Sequence, residues 1–542
     1  MRERKFWGWG YSDELLTDEE DKNIEQRILS NFSLSEVETI PIPKAKDIEL
    51  HKSKISPPSS LQNLLSSDHL ERLNHSYGKS FPDLARAMLG LFPNPPDLIA
   101  FPNNQDDIVS ILDWADQNNI AVIPYGGGSS VCGGVETDVG DTYSGVISLD
   151  LRNLNQVLEI DKESRAARIQ AGILGPALEE ELKKSNLTLR HFPQSFEHST
   201  LGGWIATRSG GHFATLYTHI DDFVESTTMV TPKGVIESRR LPGSGAGPSP
   251  DRIVIGSEGV LGIITEAWMR LQERPQFRAS CPVLFDDYEK ALKATRLISQ
   301  SALFPSNCRL LDAKEALFNG AGDGSKHLLI LSFESADHEL DTWLNRALEI
   351  VSDVGGQYEV PREEKQDAHK SGASGTWRNS FIRAPYYREA SVRRGIIQDT
   401  FETSITWDKG YKFIECLKEN VSKAIQEITG KETTVTCRLT HTYPDGLAPY
   451  FSYTAFATPS TMIDVWKEIK LVTNEICIAE GGTVTHHHAV GRDHRVRGYD
   501  LQRPEGFKNM LSAAKKAVDP QSILNPGVLF DPENKDIKNW MS

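Results

Sequence analysis

Hydrophobic residues recur along the middle of the chain with two different periods. In DDIVSILDWADQNN, residues 106–119, Ile108, Ile111, Leu112 and Ala115 follow one another at helical spacing, which predicts an amphipathic helix. Uniformly apolar runs flank it, LIAFP beginning at residue 98 and IAVIPY at residue 120. Because short apolar runs of this kind favour strands, we predict the order strand, helix, strand.

The strand pattern continues beyond this unit. Further short apolar segments read GVISLDL, ARIQAG, FVESTTMVTPKGVIE and LGIITEAWMRL. In the third of them, Pro232, Lys233 and Gly234 supply the tight turn of a hairpin. Residues 98–270 are therefore predicted to form an α+β domain.

Outside that domain the order of the elements changes. After residue 276, YEKALKATRLISQ, HLLILSF and LDTWLNRALEIVSDVGG indicate a second α+β domain. The charged first region contains the helical DEEDKNIEQRILSNF and ends at PNPP, and a last helix runs through PEGFKNMLSAAKKAV. We expect four regions: a mostly helical extension at 1–95, α+β domains at 96–275 and 276–475, and a C-terminal segment at 476–542.

Length and charge narrow the class of protein. A chain of 542 residues exceeds the size at which one hydrophobic core stops growing, so more than one domain is expected. The net charge of −16 repels phosphate backbones, which argues against nucleic-acid binding. Six cysteines without any CxxC pair argue against a zinc knuckle and a disulfide framework, and they suit a reducing compartment.

No apolar run is long enough to cross a membrane. The N-terminal MRERKFWGWGYSDE lacks the apolar segment of a secretory signal. Surface association stays open for the stretch from Leu84 to Phe92. An apolar helical stripe of this kind more often packs against the protein core, and we favour that interpretation.

A run of glycines follows the strand IAVIPY. In PYGGGSS, residues 124–130, the lack of side chains lets backbone N–H groups approach an anion such as a pyrophosphate, although three glycines also make an ordinary turn. The loop has neither the lysine of a Walker motif nor the spacing of a dinucleotide-binding glycine motif. SFEHSTLGGWIATRSGG at 195–211 and IGSEGVLGIITEA at 255–267 have a similar composition, which is typical of ligand-facing loops.

Three consecutive histidines, His486, His487 and His488, stand near the C-terminus. In an extended segment His486 and His488 would point to one face and His487 to the other. A metal site needs further ligands and no companion Cys-His motif is visible, so we predict no metal. An affinity tag is excluded because the chain continues to residue 542. Histidines hydrogen-bonded in a core and histidines in acid–base chemistry remain as interpretations.

Taken in order, these motifs are similar to a known flavoprotein family. PYGGGSS, STLGGWIATRSGG and GSEGVLGIITEA resemble the FAD domain of the vanillyl-alcohol oxidase and p-cresol methylhydroxylase (PCMH) family. Within it, KFWGWGYSDE, DTFETSITWD, CRLTHTYPDG and GGTVTHHHAVG resemble the alkyldihydroxyacetonephosphate synthases, over nearly the whole chain and least at 25–75. The resemblance implies an α+β fold: a PCMH-type FAD-binding domain of two α+β subdomains at 96–275, a cap domain at 276–475, and helical segments at both ends.

The resemblance also implies which residues contact FAD. They lie in four segments and are Pro124, Tyr125, Gly126, Gly127, Gly128, Ser129, Ser130, Gln194, Ser195, Phe196, Glu197, His198, Ser199, Thr200, Thr207, Arg208, Ser209, Gly210, Glu258, Gly259, Val260, Leu261, Gly262, Ile263 and Ile264. Family members with covalent flavin often have a histidine directly after the glycine run. Ser129 and Ser130 stand there instead, so we expect FAD to be held without a covalent bond.

The implied reaction replaces the acyl chain of acyl-dihydroxyacetone phosphate with a fatty alcohol, without net oxidation, through a flavin N5 adduct. Tyr443 would remove a proton from the substrate, and His486, His487 or His488 would deprotonate the alcohol. Arg388 would bind the substrate phosphate through two parallel charge-assisted hydrogen bonds, and Arg309 is a further candidate. Taken alone, Tyr443 also fits an ordinary buried phenol and Arg388 a surface ion pair.

An alternative function is oxidation of a 2-hydroxy acid such as D-lactate, because the same FAD domain hosts many reactions. The expected partners are acyl-dihydroxyacetone phosphate and a fatty alcohol, with no nucleic acid, and the family suggests a homodimer. Lipid substrates suggest a peripheral contact with a membrane. The C-terminal NWMS is not a peroxisomal signal, which favours a cytoplasmic enzyme.

Overall fold

The computed structural model describes residues 2–217, 219–359, 386–532, 535–537 and 539–542. In these residues two sheets occupy the chain between 65 and 270, and a third, larger sheet lies between 277 and 455. Among the described residues, no helix is both long and apolar enough to cross a membrane. All six cysteines are free thiols.

The N-terminal region is anchored to the main body of the protein. Its α-helices are Asp18–Asn31, His69–Asn74 and Phe81–Met88. The first of them confirms the helix predicted from residue 18. Leu84 and Met88 are buried in the largest hydrophobic core. From Leu84 to Met88 the stretch therefore belongs to a helix of the core, as favoured, and the chain leaves the helix before Phe92.

The first sheet carries the glycine loop. Its strands, in chain order, are β1 Leu65–Ser66, β2 Leu98–Ala100, β3 Ile120–Tyr125 and β4 Gly145–Asp150, arranged β1-β2-β4-β3. The predicted helix is Gln105–Gln117, which begins at the cap Asn104 and buries all four of its predicted apolar residues. Because β2 and β3 both run parallel to β4, the loop after β3 emerges at one edge of the sheet.

The second sheet is antiparallel and lies next in the chain. Its elements are β5 Val157–Asp161, β6 Ala166–Gln170, β7 Leu187–Thr188, β8 Val224–Thr231, β9 Gly234–Glu237, β10 Ile263–Arg270 and β11 Gln272–Glu273, with the order β5-β6-β10-β8-β9 and a separate β7–β11 pair. The predicted hairpin turn is confirmed, since Thr231 pairs with Gly234. The short α-helices between these strands are Gly175–Lys183, Leu201–Thr207, Ala214–Tyr217 and Asp251–Val254.

The third sheet has seven strands. They are β12 Phe277–Phe285, β13 Asn307–Leu311, β14 His327–Ser335, β15 Ile397–Glu402, β16 Ile405–Thr406, β17 Thr436–Thr442 and β18 Gly446–Ala455, ordered β12-β14-β13-β17-β18-β15, with β16 beside β18. The predicted helices and strand of this domain are confirmed. Its α-helices are Tyr288–Ser299, Ala313–Phe318, Asp341–Asp353, Gly410–Thr429 and Met462–Ala479.

The C-terminal segment returns to the first sheet. After the predicted last helix, Glu505–Val518, the backbone of Val122 in β3 donates to Ile523 (2.8 Å), and Asn525 donates back to Val122 (2.9 Å). Residues from the histidine run onward therefore connect the third sheet to the strand that carries the glycine loop.

Candidate active site

The glycine loop packs directly against the segment 198–200. A side-chain carbon on Gly127 would collide with the carbonyl oxygen of His198, and one on Gly126 would collide with the hydroxyl of Thr200. Gly128 has φ +68°, in the left-handed region that favours glycine. The three glycines are therefore required for two of the predicted FAD segments to meet.

The glycine loop also leaves its N–H groups available on one side. The carbonyl oxygen of Gly127 accepts from Arg4 (3.3 Å), and that of Ser130 accepts from the backbone N–H of Lys79 (2.6 Å). Within the described residues, no group accepts a hydrogen bond from the backbone N–H groups of residues 126–131. A concave row of unused N–H groups is suited to an anion, so the loop fits the diphosphate of FAD.

The other predicted FAD segments lie next to the loop. The position of a side-chain carbon on Gly259 lies 2.6 Å from Pro124 Cγ, and Glu258 accepts from the backbone of Val490 (2.9 Å) and Gly491 (2.7 Å). Burial raises the pKa of Glu258 to about 7, although those two N–H groups oppose the shift. This carboxyl group therefore ties a predicted FAD segment to the chain just beyond the histidine run.

Not every predicted FAD residue has a side chain free for the cofactor. The hydroxyl of Tyr125 donates to Asn74 (3.1 Å), and its ring lies 4.2 Å from that of His75 behind the loop. The side chains that belong to the hydrophobic core are those of Val260, Leu261, Ile263 and Ile264. At these positions only the backbone is placed to contact FAD.

The third of the predicted FAD segments, 207–210, reaches the histidines. A side-chain carbon on Gly210 would lie 2.9 Å from Nε2 of His441 and 3.4 Å from Cβ of His487. Thr207 ends the helix Leu201–Thr207, and Arg208 follows in the left-handed conformation with its guanidinium paired to Asp221. The FAD segments and the histidine run thus form one continuous site.

The histidine run bends around a single buried carboxylate. The backbone N–H groups of His486, His487 and His488 all donate to Glu402, at 2.7, 3.1 and 3.1 Å. The prediction that the three side chains alternate between two faces is wrong, because donating three successive N–H groups to one acceptor requires a curled backbone. As a result, Nδ1 of His486 and Nδ1 of His487 lie 3.1 Å apart.

Tyr443 lies directly beyond β17 with its hydroxyl between two imidazoles. Its backbone N–H closes the turn to Gly446 (2.8 Å). The phenolic oxygen lies 2.5 Å from Nε2 of His219 and 3.0 Å from Nε2 of His486. The structure thus brings together the predicted tyrosine and one histidine of the predicted run, and it adds a second histidine from the FAD-binding part of the chain.

His441 joins the same cluster through an irregularity in β17. The register of β17 against β18 shifts between Leu439 and His441. Leu439 packs in the core, whereas the His441 ring lies 5.1 Å from that of His486 and 5.0 Å from that of His487. A shift of this kind re-aims one side chain, and here it directs His441 into the site.

Burial dominates the electrostatics of the cluster. It raises the pKa of Tyr443 far above its ordinary value, and the negative charge of Glu402 adds to the shift. It lowers the pKa of His219 and His486, and lowers that of His488 to about 3. At neutral pH the phenol is therefore protonated, while these imidazoles are neutral and able to accept a proton.

Glu402 is the negative charge of the site. Burial alone would raise its pKa, but the imidazoles of His487 and His488 hold the pKa well below the usual range. The carboxylate is 3% exposed, and it also accepts from the hydroxyl of Thr485 (2.5 Å). Glu402 is therefore ionised, and it fixes the shape of the histidine run.

The structure does not bring Arg388 to this cluster. Its guanidinium forms an ion pair with Asp399 (2.6 Å), and Asp399 also accepts from the indole of Trp466 (2.5 Å). Asp399 and Glu402 are three residues apart on β15 and so point to opposite faces of the sheet. The proposed contact of Arg388 with phosphate stays a prediction.

Arg309 lies on the site side of the third sheet. Its side chain, on β13, is 3.4 Å from Nδ1 of His212, and its positive charge contributes to lowering the pKa of His441. Burial lowers the pKa of Arg309 to about 9, and the neighbouring Arg438 adds to the shift. Arg438 itself forms an ion pair with the buried Glu315, whereas Arg309 lies on the side of the sheet where the site could bind an anion.

Three residues of the site had no predicted role. Glu402 and His441 lie inside DTFETSITWD and CRLTHTYPDG, so their motifs were recognised although their part in the site was not. His219 lies beyond the last glycine of SFEHSTLGGWIATRSGG, in a segment without a motif. The sequence signal that could have indicated His219 is its position in a loop directly after a ligand-facing segment.

Two family models match the chain, a FAD binding domain over residues 96–238 and a C-terminal domain of FAD linked oxidases over residues 274–529. The alkyldihydroxyacetonephosphate synthase of Dictyostelium discoideum is 32% identical, over 88% of this chain and 80% of that protein. The enzyme of the same name from Trypanosoma brucei brucei is 30% identical, over 87% and 80%. These matches confirm the predicted FAD cofactor.

The fold is also similar to solved structures. An alkyldihydroxyacetonephosphate synthase superposes with a TM-score of 0.79 at 26% identity, covering 96% of this chain and 98% of that one. This match confirms the predicted fold class, an α+β protein with a PCMH-type FAD-binding domain and a cap domain. The boundaries at residues 95, 275 and 475 stay predictions.

Proposed function

The chain belongs to the alkyldihydroxyacetonephosphate synthase family of FAD enzymes, and on this premise we propose that it exchanges the acyl chain of acyl-dihydroxyacetone phosphate for a fatty alcohol. One observation supports this chemistry above others: the hydroxyl of Tyr443 lies between His219 and His486, next to loops that fit FAD. The loops at 126–130 and 198–200 would hold FAD, which would supply an electrophilic ring for the exchange.

Tyr443 and His219 act together in the first proton transfer. Because its pKa is raised, the phenol of Tyr443 cannot serve as a base while it keeps its own proton. Nδ1 of His219 faces the carbonyl oxygen of Arg208 (3.4 Å), which leaves Nε2 as the acceptor that faces the phenol. Tyr443 therefore takes the substrate proton as it passes its own proton to His219.

The histidine run acts in the second half of the reaction. A fatty alcohol must lose its hydroxyl proton when it attacks the substrate carbon, and a neutral imidazole is a suitable acceptor. His488 is the member of the run that is bonded to neither Tyr443 nor another imidazole nitrogen in the described structure. We assign the alcohol proton to this run, with His488 as the best-placed acceptor.

The substrate phosphate binds at Arg309 in this proposal. Arg309 lies beside His212 and Arg438 on the site side of the sheet, whereas Arg388 is already neutralised by Asp399. A phosphate dianion beside Arg309 would compensate a buried positive charge and form charge-assisted hydrogen bonds. Arg388 retains a role in substrate binding only if its ion pair opens.

Membrane contact, a homodimer and a cytoplasmic location are further parts of the proposal. Membrane contact is supported by Leu501, Phe507 and Met510, which are 64%, 49% and 71% exposed around the start of the helix Glu505–Val518. Large apolar side chains that protrude in this way suit the surface of a bilayer, where both lipid substrates reside. Co-sedimentation with phosphatidylcholine vesicles tests the contact, and light scattering after gel filtration tests the dimer.

Product analysis tests the reaction itself. Purified protein is incubated with palmitoyl-dihydroxyacetone phosphate and hexadecanol, and mass spectrometry measures hexadecyl-dihydroxyacetone phosphate and released palmitate. We expect equal amounts of the two products and neither product without the alcohol or the protein. Absence of the ether lipid, together with reduction of the flavin by D-lactate, would instead support the hydroxy-acid oxidase alternative.

A further inference from the structure

Three imidazoles from distant parts of the chain meet in the active site. One ring nitrogen from each of His441, His486 and His487 lies within 4.8 Å of the others. The histidine run alone offered no companion ligand, but the register shift in β17 supplies one. This brings together three side chains of the type that most often binds transition metals.

A carboxylate oxygen lies beside two of the three histidines. Oε2 of Glu402 lies 3.2 Å from Nδ1 of His487 and 3.9 Å from Nδ1 of His486, and those two nitrogens are 3.1 Å apart. In a tetrahedral zinc site with bonds of about 2.0–2.1 Å, two ligand atoms stand about 3.4 Å apart. The nitrogens of His486 and His487, 3.1 Å apart, are close to this spacing, whereas the nitrogen of His441 lies within 4.8 Å of them and has to approach further to share one ion.

The charge of Glu402 points independently to a cation. This carboxylate is 3% exposed, and its partners are backbone N–H groups, the hydroxyl of Thr485 and the imidazoles of the run. Within the described parts of the chain, no lysine or arginine forms an ion pair with it. A metal ion held by the imidazoles would lie close to this buried carboxylate and add to the compensation of its charge.

We propose that His441, His486 and His487 bind one divalent ion of a first-row transition metal, such as zinc. Imidazole nitrogens select these ions over magnesium and calcium, which prefer sites built from oxygen ligands. Nε2 of His486 remains hydrogen-bonded to Tyr443 (3.0 Å) while its Nδ1 faces the ion. The ion would therefore lie one imidazole away from the phenol that handles the substrate proton.

In this arrangement the histidines of the run have two different roles. His486 and His487 act as metal ligands, so His488 alone stays available to accept a proton from the alcohol. With three protein ligands, a fourth coordination position stays open for an oxygen atom of the substrate. The inference rests on the geometry of the donor atoms and the charge of Glu402, and it does not depend on the reaction proposed above.

Zinc titration of the FAD-loaded protein tests the site. The holoenzyme is treated with a chelator, dialysed and titrated with zinc in a calorimeter, without any lipid substrate. The variants are His441→Gln, which removes one ligand, and His69→Gln, which removes an exposed histidine far from the cluster in the chain. We expect one tightly bound zinc per chain in the wild type and in His69→Gln, and a loss of affinity of about 100-fold in His441→Gln, in line with the effect of altering metal ligands.

The proposal is overturned if the wild type binds zinc no more tightly than His441→Gln, or if zinc added in the titration is lost on a second dialysis. FAD content and circular dichroism show whether His441→Gln folds. If it does not, cobalt is substituted into the wild type, where absorption in the red region, beyond the flavin bands, reports tetrahedral coordination and its absence contradicts the site. A protein that binds zinc but makes no ether lipid would refute the proposed function and leave the metal site standing.

Discussion

Tyr443 is the residue on which the proposed proton transfer depends most. Replacing it with phenylalanine keeps the ring and removes only the hydroxyl that lies between His219 and His486. We expect Tyr443→Phe to lower kcat by about 10²- to 10⁴-fold, the usual contribution of a positioned acid or base. FAD content, measured by absorbance, should stay that of the wild type.

A matched control for that variant is Tyr77→Phe. The hydroxyl of Tyr77 is also buried, and it donates to the carbonyl oxygen of Leu91 (2.7 Å), away from the cluster. This variant should lose some stability but keep its kcat. Equal losses of activity in both variants would mean that the effect of Tyr443→Phe is structural.

In the proposed mechanism, His219 accepts a proton from Tyr443 and does not only form a hydrogen bond with it. Glutamine at this position can still contact the phenol of Tyr443, but it cannot accept a proton. We expect His219→Gln to lower kcat by about 10²-fold with KM little changed, because the residue acts on Tyr443 and not on substrate binding. Wild-type kcat in this variant, measured in the ether-lipid assay, would remove His219 from the mechanism.

The residues of the site differ in how far the sequence predicts them. Tyr443 and His486 stand in motifs whose family resemblance is specific, so both were predicted. His219 has no motif, and Glu402 is 84 positions from His486 in the chain, so only the pairing of distant strands brings it under the histidine run. The predicted alternation of the histidine side chains was wrong for the same reason, because the backbone of the run bends around a carboxylate from β15.

At the scale of elements, the glycine loop gives a sharp prediction for FAD binding. A methyl group on Gly127 would collide with the carbonyl oxygen of His198, which is backbone and cannot rotate away. We expect Gly127→Ala to lose at least about tenfold in FAD affinity, since the loop must shift away from the segment that it contacts. Fluorescence of released flavin on dilution measures the affinity.

The control for the loop is Gly245→Ala. Gly245 has nothing within 4 Å of the position of an added side-chain carbon, and its φ is not in the left-handed region. This variant should bind FAD like the wild type. Tight FAD binding by Gly127→Ala would show that the contact with His198 does not shape the cofactor site.

The local sequence pattern predicted individual helices and strands better than it predicted which strands pair with each other. The helix Gln105–Gln117 and the hairpin of β8 and β9 followed from spacing and turn residues alone, because both are stabilised by neighbours in sequence. The order β12-β14-β13-β17-β18-β15 was not predicted, since each pairing depends on long-range contacts. For the same reason, the contact of the C-terminal segment with β3 was not predicted.

At the scale of the whole molecule, buried histidines make the fold sensitive to acid. Burial lowers the pKa of His191 and His488 to about 3, and it lowers the pKa of His441, His486 and His494 well below their ordinary value. In the unfolded chain these groups titrate near about 6.5. Below that pH the unfolded state binds more protons, so the free energy of unfolding falls as the pH falls.

Buried carboxyl groups with raised pKa values act against this trend, among them Asp493, Glu258 and Glu389. The pKa of Glu258 and of Glu389 is raised to about 7, so these carboxyl groups contribute stability at low pH that is lost as the pH rises through that value. The histidines are more numerous, so they prevail. Urea unfolding of the holoenzyme should give a lower midpoint at about pH 5.5 than at about pH 7.5, and equal midpoints would contradict this balance.

The use of FAD without net oxidation of the substrate is tested most directly by the flavin absorbance spectrum under anaerobic conditions. Enzyme, palmitoyl-dihydroxyacetone phosphate and hexadecanol are mixed, and the ether lipid is measured in the same sample. We expect many turnovers of product per enzyme, with the oxidised flavin spectrum fully restored when the substrates are exhausted. A flavin that stays reduced, or product that never exceeds one molecule per enzyme, would contradict the redox-neutral exchange.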